Sequence, residues 1–301
     1  MGQCSKTVVG IGEVLWDVFD SSTTLGGAPT NFACIAAALG SNACVVSSVG
    51  SDDLGNSALT VLQRKNVDTS FVTKVSSAAT GRVDVWLNEL GQPDFEIHAD
   101  AAWDYIPWSD NLKPLAMKSD AVCFGTLAQR SPTSRETIQR FLNATRSGCS
   151  RILDINLRQP FYDDKLIAKS LDLANVLKLN EQELSIVCSI AKIDNNEPKS
   201  ALLELSNTFN LNMIMLTEGS AGSTLLHENE FVVYRPKKHV DVRDCVGAGD
   251  AFAATAVIGL LNGWPIHRMN SVANQVASYV CTQPGATPQL PRHLLELFKS
   301  G

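Results

Sequence analysis

The sequence predicts an α/β fold: a parallel sheet covered by helices, with a small β lid laid over it. Short apolar runs alternate with helical patterns over most of the chain, the rhythm of strand–helix–strand units. Two stretches break that rhythm with strand-like alternation. Three of the later apolar runs end in polar residues, which is where open parallel sheets bind ligands.

Taken in order, residues 7–12 read as a first buried strand, and the Ala-rich residues 29–39 as a helix closed by Gly40. Residues 43–49 form the next strand and 56–65 a helix. From 82 to 98 the period becomes two: Val83, Val85 and Leu87 alternate, Gly91-Gln92-Pro93 turns, and Phe95 and Ile97 alternate again. That is a β-hairpin with one apolar face. Residues 13–25 have a similar strand-like character. Together these stretches, about 13–28 and 81–106, make the lid, inserted into a single domain spanning 1–301; the alternative is two surface loops. Strands are then expected at 121–125, 151–155, 176–179 and 213–216, with a helix at 134–145. The last three strands run into Asn156 and Arg158, Asn180 and Glu183, and Thr217 and Glu218.

Composition excludes several classes. The 301 residues are 45% apolar with net charge −6 and no Lys/Arg cluster, which argues against nucleic acid or an anionic membrane as the main partner. No run approaches the 18 apolar residues of a membrane span, and no signal peptide is read, so a cytoplasmic protein is expected. Gly2 to Lys6 match a myristoylation pattern only incompletely. The eight cysteines form no C-x-x-C pair and read mostly as reduced core residues.

The strongest local motif is Asp244-Cys245-Val246-Gly247-Ala248-Gly249-Asp250, followed by a helical run at 251–261. Small residues before a helix let backbone N–H groups face an anion, and an aspartate beside them can accept a proton from an attacking hydroxyl. The same pattern also fits an Asp N-cap after a Gly turn. Thr217-x-Gly219-x-x-Gly222 permits close approach of a nucleotide, or is an ordinary strand-to-strand turn. Asn180 and Glu183 share a helix face where they could hold hydrated Mg2+ beside phosphates, or form a capping pair. Gly26 and Gly27 allow close backbone contact, while Asn31 and Asp17 offer hydrogen bonds to sugar hydroxyls; a loop and a solvated charge are the alternatives. There is no G-x-x-x-x-G-K-[ST], and Leu15 stands where G-x-G-x-x-G would need its third glycine.

The order of these motifs resembles the ribokinase (PfkB) family of carbohydrate kinases. It is carried by Gly26-Gly27 with Asn31, Asp154-x-Asn156-x-Arg158, Lys178-x-Asn180-Glu181-x-Glu183, Thr217-x-Gly219-x-x-Gly222 and Asp244 to Asp250. It runs from about Val8 to Gly285-Ala286-Thr287-Pro288. Gly-Glu-Val-Leu-Trp-Asp at 12–17, Cys-Phe-Gly-Thr-Leu-Ala-Gln-Arg at 123–130 and Asp-Ile-Asn-Leu-Arg at 154–158 look like bacterial fructokinase-type members.

The resemblance implies a three-layer α/β/α core whose β lid closes over a sugar, and ATP-dependent phosphorylation of a primary hydroxyl, fructose first. The alternatives are 2-keto-3-deoxygluconate or ribose, a nucleoside being weaker, or a catalytically silent sugar-binding protein. Asp250 would be the base, and the amides of Gly247, Ala248 and Gly249 the anion hole. Asp17, Gly26, Gly27 and Asn31 would hold the sugar, with Arg158 beside the sugar and the transferring phosphoryl group. Thr217, Gly219, Gly222 and Asn274 would line the ATP site, with Asn180, Gly247 and Gly249 at the phosphates. Asn180 and Glu183 would organise Mg2+ through water. Asp244 and Gly285 lie where relatives that use potassium bind it. Cys245 departs from the family's usual threonine, which removes a hydroxyl from the loop. An apolar outer face on the lid would favour a homodimer.

Overall fold

The computed structural model describes residues 5–19, 22–87, 93–158, 160–237 and 240–298. The expected Gly91-Gln92 turn, Gly2 and Cys4 lie outside them. The chain opens with β1 (Thr7–Ile11), β2 (Leu15–Phe19), β3 (Ser22–Gly26), α1 (Ala28–Ala38), β4 (Asn42–Gly50), α2 (Asp53–Arg64) and β5 (Val72–Val75). It continues through β6 (Gly81–Leu87), β7 (Pro93–Ile97), α3 (Leu112–Lys118), β8 (Ala121–Phe124), α4 (Pro132–Asn143), β9 (Ser150–Asp154) and α5 (Asp164–Leu173). Then come β10 (Val176–Asn180), α6 (Glu181–Ala191), α7 (Pro198–Phe209), β11 (Met213–Thr217), β12 (Ser223–His227) and β13 (Glu230–Tyr234). Helices α8 (Ala248–Leu261), α9 (Ile266–Cys281) and α10 (Arg292–Glu296) complete it.

The main sheet has nine strands in the order β13-β12-β11-β10-β9-β8-β1-β4-β5. From β5 to β11 every pairing is parallel, whereas β12 and β13 add an antiparallel edge. The strands of the parallel part are apolar on both sides because both faces are covered. Val8, Val45, Cys123, Ile152, Val176 and Met213 face a cluster with Phe32 of α1, Leu62 of α2, Phe252 of α8 and Val276 of α9. Their neighbours Val9, Val46, Val122, Leu153, Leu177 and Ile214 face a second cluster with Leu115, Phe141, Ile167, Val187 and Leu202 of α3 to α7. The single-residue alternation between clusters is the pleat of the strands, and it makes three layers. Helix α8 lies between α1 and α9 and is buried from Ala251 to Gly259, as a helix apolar all round must be.

A second sheet, β3-β2-β6-β7, combines two antiparallel hairpins joined by the parallel pair β2–β6. Its outer side is moored to the core: Trp16 Nε1 donates to the Leu54 carbonyl at 3.0 Å. Asp52 caps α2 through Gly55 N at 2.7 Å and accepts from both Thr80 N and Thr80 Oγ1 at 2.8 and 2.6 Å, just before β6. The 81–106 segment divides. Its strands form the small sheet, whereas Ala101, Trp103 and Ile106 are buried in the core. Among the described residues, no helix is long and apolar enough to cross a membrane.

Candidate active site

The chain runs outward from β1 through β4 to β5, then returns to place β8 on the other side of β1. Loops leaving β1 and β8 therefore diverge, and a crevice opens at the carboxyl ends of the strands. Glu13 follows β1 into it, Arg158 follows β9, Asn180 ends β10 and Thr217 ends β11.

The lid supplies one wall. Register pairs Asp17 with Val83, Val83 with Ile97 and Val85 with Phe95, so these side chains share a face. The Arg158 guanidinium lies 5.8 Å from the Phe95 ring centroid, so this face looks into the crevice. Arg82 and Asp84 are on the other face with exposed Trp86. The apolar side of the hairpin is thus the crevice side: the period of two identifies a face but not the direction it looks.

Helix α1 starts at Gly27, where φ is +106° and a Cβ would lie 2.3 Å from the Glu13 carbonyl oxygen. Gly26 packs just as closely: a Cβ there would lie 2.4 Å from Asp17 Oδ2. One turn on, Asn31 Nδ2 donates to Asp250 Oδ2 at 2.8 Å. Beneath them Glu13 is buried, accepting from Ala28 N through Oε1 at 3.3 Å while Oε2 has no partner among the described residues.

Asp250 sits in the first turn of α8. The helix begins at Ala248 rather than at 251, so Ala248 and Gly249 belong to its first turn as well. Gly247 precedes it at φ +77°, where a Cβ would meet Ala286 at 2.5 Å. The Ala248 amide is turned back to the Cys245 carbonyl at 3.2 Å, so it is not the open donor the motif implied. The amides of Gly247 and Gly249 have no hydrogen-bond partner among the described residues, as at any uncapped helix start. Lys178 comes up beneath this turn, 3.0 Å from where a Gly249 Cβ would be, and its Nζ pairs with buried Asp154 at 2.9 Å.

Charge is concentrated here. Burial raises the Asp250 carboxyl to about 6, with Asp154 adding to the rise and Lys178, Asn31 and Arg158 opposing it. Burial likewise raises Asp17 to about 6 against the pull of Arg158, and Glu13 to about 7.

On the far side of the Gly249 turn lies a cavity of about 360 Å³. Thr217, Gly219, Gly222, Gly249 and Asn274 line it, and Val240, Val242, Phe252 and Ala277 give it an apolar wall. Thr217 to Gly222 is also the strand-to-strand turn from β11 to β12. Asn274 Nδ2 is committed to Ser223 Oγ and to the Asn270 carbonyl, each at 2.8 Å.

Asn180 does not line that cavity. It caps α6 reciprocally with Glu183: Glu183 N donates to Asn180 Oδ1 and Asn180 N to Glu183 Oε2, both at 2.9 Å. Glu183 Oε1 accepts from Leu157 N at 3.0 Å, fixing the loop that carries Arg158. Asp244 also braces a loop, accepting from Val246 N at 2.9 Å and from Gly285 N at 3.2 Å. Sequence reasoning missed Glu13, the Lys178–Asp154 pair and Phe95. Lys178, flanked by buried Leu177 and Leu179 in β10, was the local signal for the pair.

Known proteins bear on this arrangement. An uncharacterized sugar kinase of Pyrococcus horikoshii is 29% identical over 271 residues, 87% of this chain and 82% of its own. The fructokinase of Salmonella typhimurium is 27% identical over 279 residues, 88% of each chain. The crystal structure of the Pyrococcus horikoshii kinase in complex with ATP superposes with a TM-score of 0.80 at 25% identity, covering 95% of both chains. The family described as pfkB family carbohydrate kinase matches residues 2–293. With a crevice roofed by a β lid and a helix-start aspartate at its floor, the chain belongs to the pfkB family of carbohydrate kinases.

Proposed function

We propose that this sugar kinase transfers the γ-phosphoryl group of ATP to the primary hydroxyl of a small sugar, fructose giving fructose 6-phosphate. The observation that carries this is the position of Asp250. Its carboxylate meets Asn31 under the lid, while the same helical turn, through Gly249, borders the cavity. ATP suits that cavity: an apolar wall for a base, and the open amide of Gly249 toward the phosphates. The ATP complex of the Pyrococcus horikoshii kinase supports the same reading, and the Salmonella typhimurium fructokinase supports fructose.

In this scheme Asp17 and Asn31 accept and donate hydrogen bonds to sugar hydroxyls, and Asp250 takes the proton of the reacting one. Lys178 keeps Asp250 from being neutralised by Asp154. Arg158, already attracted to Asp17, Glu13 and Asp250, screens the charge that builds on the transferring group. Phe95 and the lid exclude water, which limits ATP hydrolysis. Among the described residues no three metal-ligating side chains cluster. Mg2+ keeps most of its waters and takes phosphates, so it needs few protein ligands. Asn180 and Glu183, whose oxygens already accept backbone amides, would hold it through water, and it would neutralise phosphate charge. A coupled ADP-release assay over fructose, ribose, 2-keto-3-deoxygluconate and nucleosides tests the acceptor. The highest kcat/KM on a sugar other than fructose overturns the fructose assignment.

A further inference from the structure

Among the described residues there are seven free cysteines, and they fall into two groups. Cys34, Cys44, Cys123, Cys149 and Cys188 are buried, and burial pushes their thiols up, to about 12 for Cys34, Cys44 and Cys149. Such thiols are inert. Cys245 is exposed and Cys281 half-buried, and both line the cavity assigned above to ATP.

Their proximity is built by the backbone. Arg243 N and Asp244 N both donate to the Cys281 carbonyl, at 2.9 and 3.2 Å, so the residue preceding Cys245 is bonded directly to Cys281. Across this junction the two residues line the same cavity, near enough for Cys245 to raise the Cys281 thiol. One belongs to the glycine turn before α8 and the other ends α9.

We propose that Cys245 and Cys281 form a thiol–disulfide exchange site in the cavity wall, oxidised by small-molecule disulfides to an intrachain crosslink that shuts off the nucleotide. The exposed Cys245 thiolate attacks one sulfur of R–S–S–R, forming Cys245–S–S–R and releasing one thiolate. Cys281, losing its proton to solvent, attacks the Cys245 sulfur and expels the second. Both released thiolates take up protons, so two protein thiols and one disulfide become one protein disulfide and two free thiols. Cys281 is the resolving partner, since burial and the facing Cys245 push it up to about 11. The crosslink would pin the glycine turn to the end of α9 and leave the sulfur bridge in the cavity wall. That consequence, though not the exchange itself, rests on the cavity being the ATP site.

The test is to incubate the full-length reduced protein with oxidised glutathione, with and without ATP, followed by intact mass, peptide mapping and kinase assay. The expected product is lighter by two hydrogens, with a peptide linking 245 to 281. Its kcat/KM for ATP is lower by ~10-fold or more, as expected when binding is blocked, and dithiothreitol restores it. ATP slows its formation. Cys281→Ser stops at a glutathione adduct on residue 245, and Cys245→Ser keeps its own starting activity through the treatment. Absence of the 245–281 peptide overturns the proposal, as does a crosslinked enzyme that turns over ATP unchanged. A crosslink whose rate ATP does not alter leaves the exchange site standing and removes ATP from the cavity. Slower modification of Cys245 with ATP but no crosslink does the reverse.

Discussion

The two sides of the Asp250 turn are built from opposite materials. Under the lid, Glu13, Asp17, Asp154, Arg158, Lys178 and Asp250 crowd one crevice, and three of the carboxyls are raised to about 6 or 7. Behind the turn, Val240, Val242, Phe252 and Ala277 wall a cavity with little charge. Charge held out of water is sensitive to small displacements, so the crevice suits discrimination at a reacting hydroxyl. An apolar slot with exposed backbone is tolerant and holds a large ligand by shape. The division predicts that substitutions on the first side change the fold or the chemical step, and those on the second mainly change nucleotide affinity.

The largest effect should come from Lys178→Met, which leaves Asp154 buried and unpaired. Breaking such a pair costs ~3–5 kcal/mol, measurable by urea unfolding at neutral pH; a loss under 1 kcal/mol would show that the pair is solvated. Next, Asp250→Asn should lower kcat by at least ~100-fold, as loss of a general base does, with the unfolding midpoint retained. The wild type should lose activity as pH falls through about 6, where the raised Asp250 carboxyl takes up its proton. Near-normal turnover in Asp250→Asn would break the comparison at its centre. On the other side, Ala277→Leu should raise KM for ATP by ~10-fold while kcat stays within ~2-fold, the signature of lost uniform binding. A fall in kcat instead would mean that the two sides are not separable.

The smallest effect concerns Glu13. Its carboxyl is raised from 4.5 to about 7, so the folded chain holds a proton that the unfolded chain releases. Stability from this group is present at low pH and is lost as pH rises through about 7. Glu13→Gln, which cannot ionise, should flatten the melting temperature across that window. An unchanged slope would mean that the carboxyl is hydrated.

The core was legible where burial acts on every residue. Strands β1, β4, β8, β9, β10 and β11 were expected within two residues of where they begin and end. The antiparallel edge was not singled out. Its turn has Glu228 and Asn229 at φ +50° and +64°, a conformation usually advertised by Asn-Gly or Asp-Gly. For the site, the order of motifs along the chain was readable, but pairings across it were not. Asn31 with Asp250, and Cys245 with Cys281, depend on how α1, α8 and α9 pack. The Asn180–Glu183 capping box was foreseen because i,i+3 neighbours on one helix need no tertiary information.

The Asn31–Asp250 hydrogen bond joins groups 219 positions apart. While the polypeptide is being synthesised, the lid and most of the sheet can form before the carboxylate emerges. The carboxylate reaches Asn31 only when α8 docks between α1 and α9, so a truncation ahead of α8 removes a buried core helix together with Asp250.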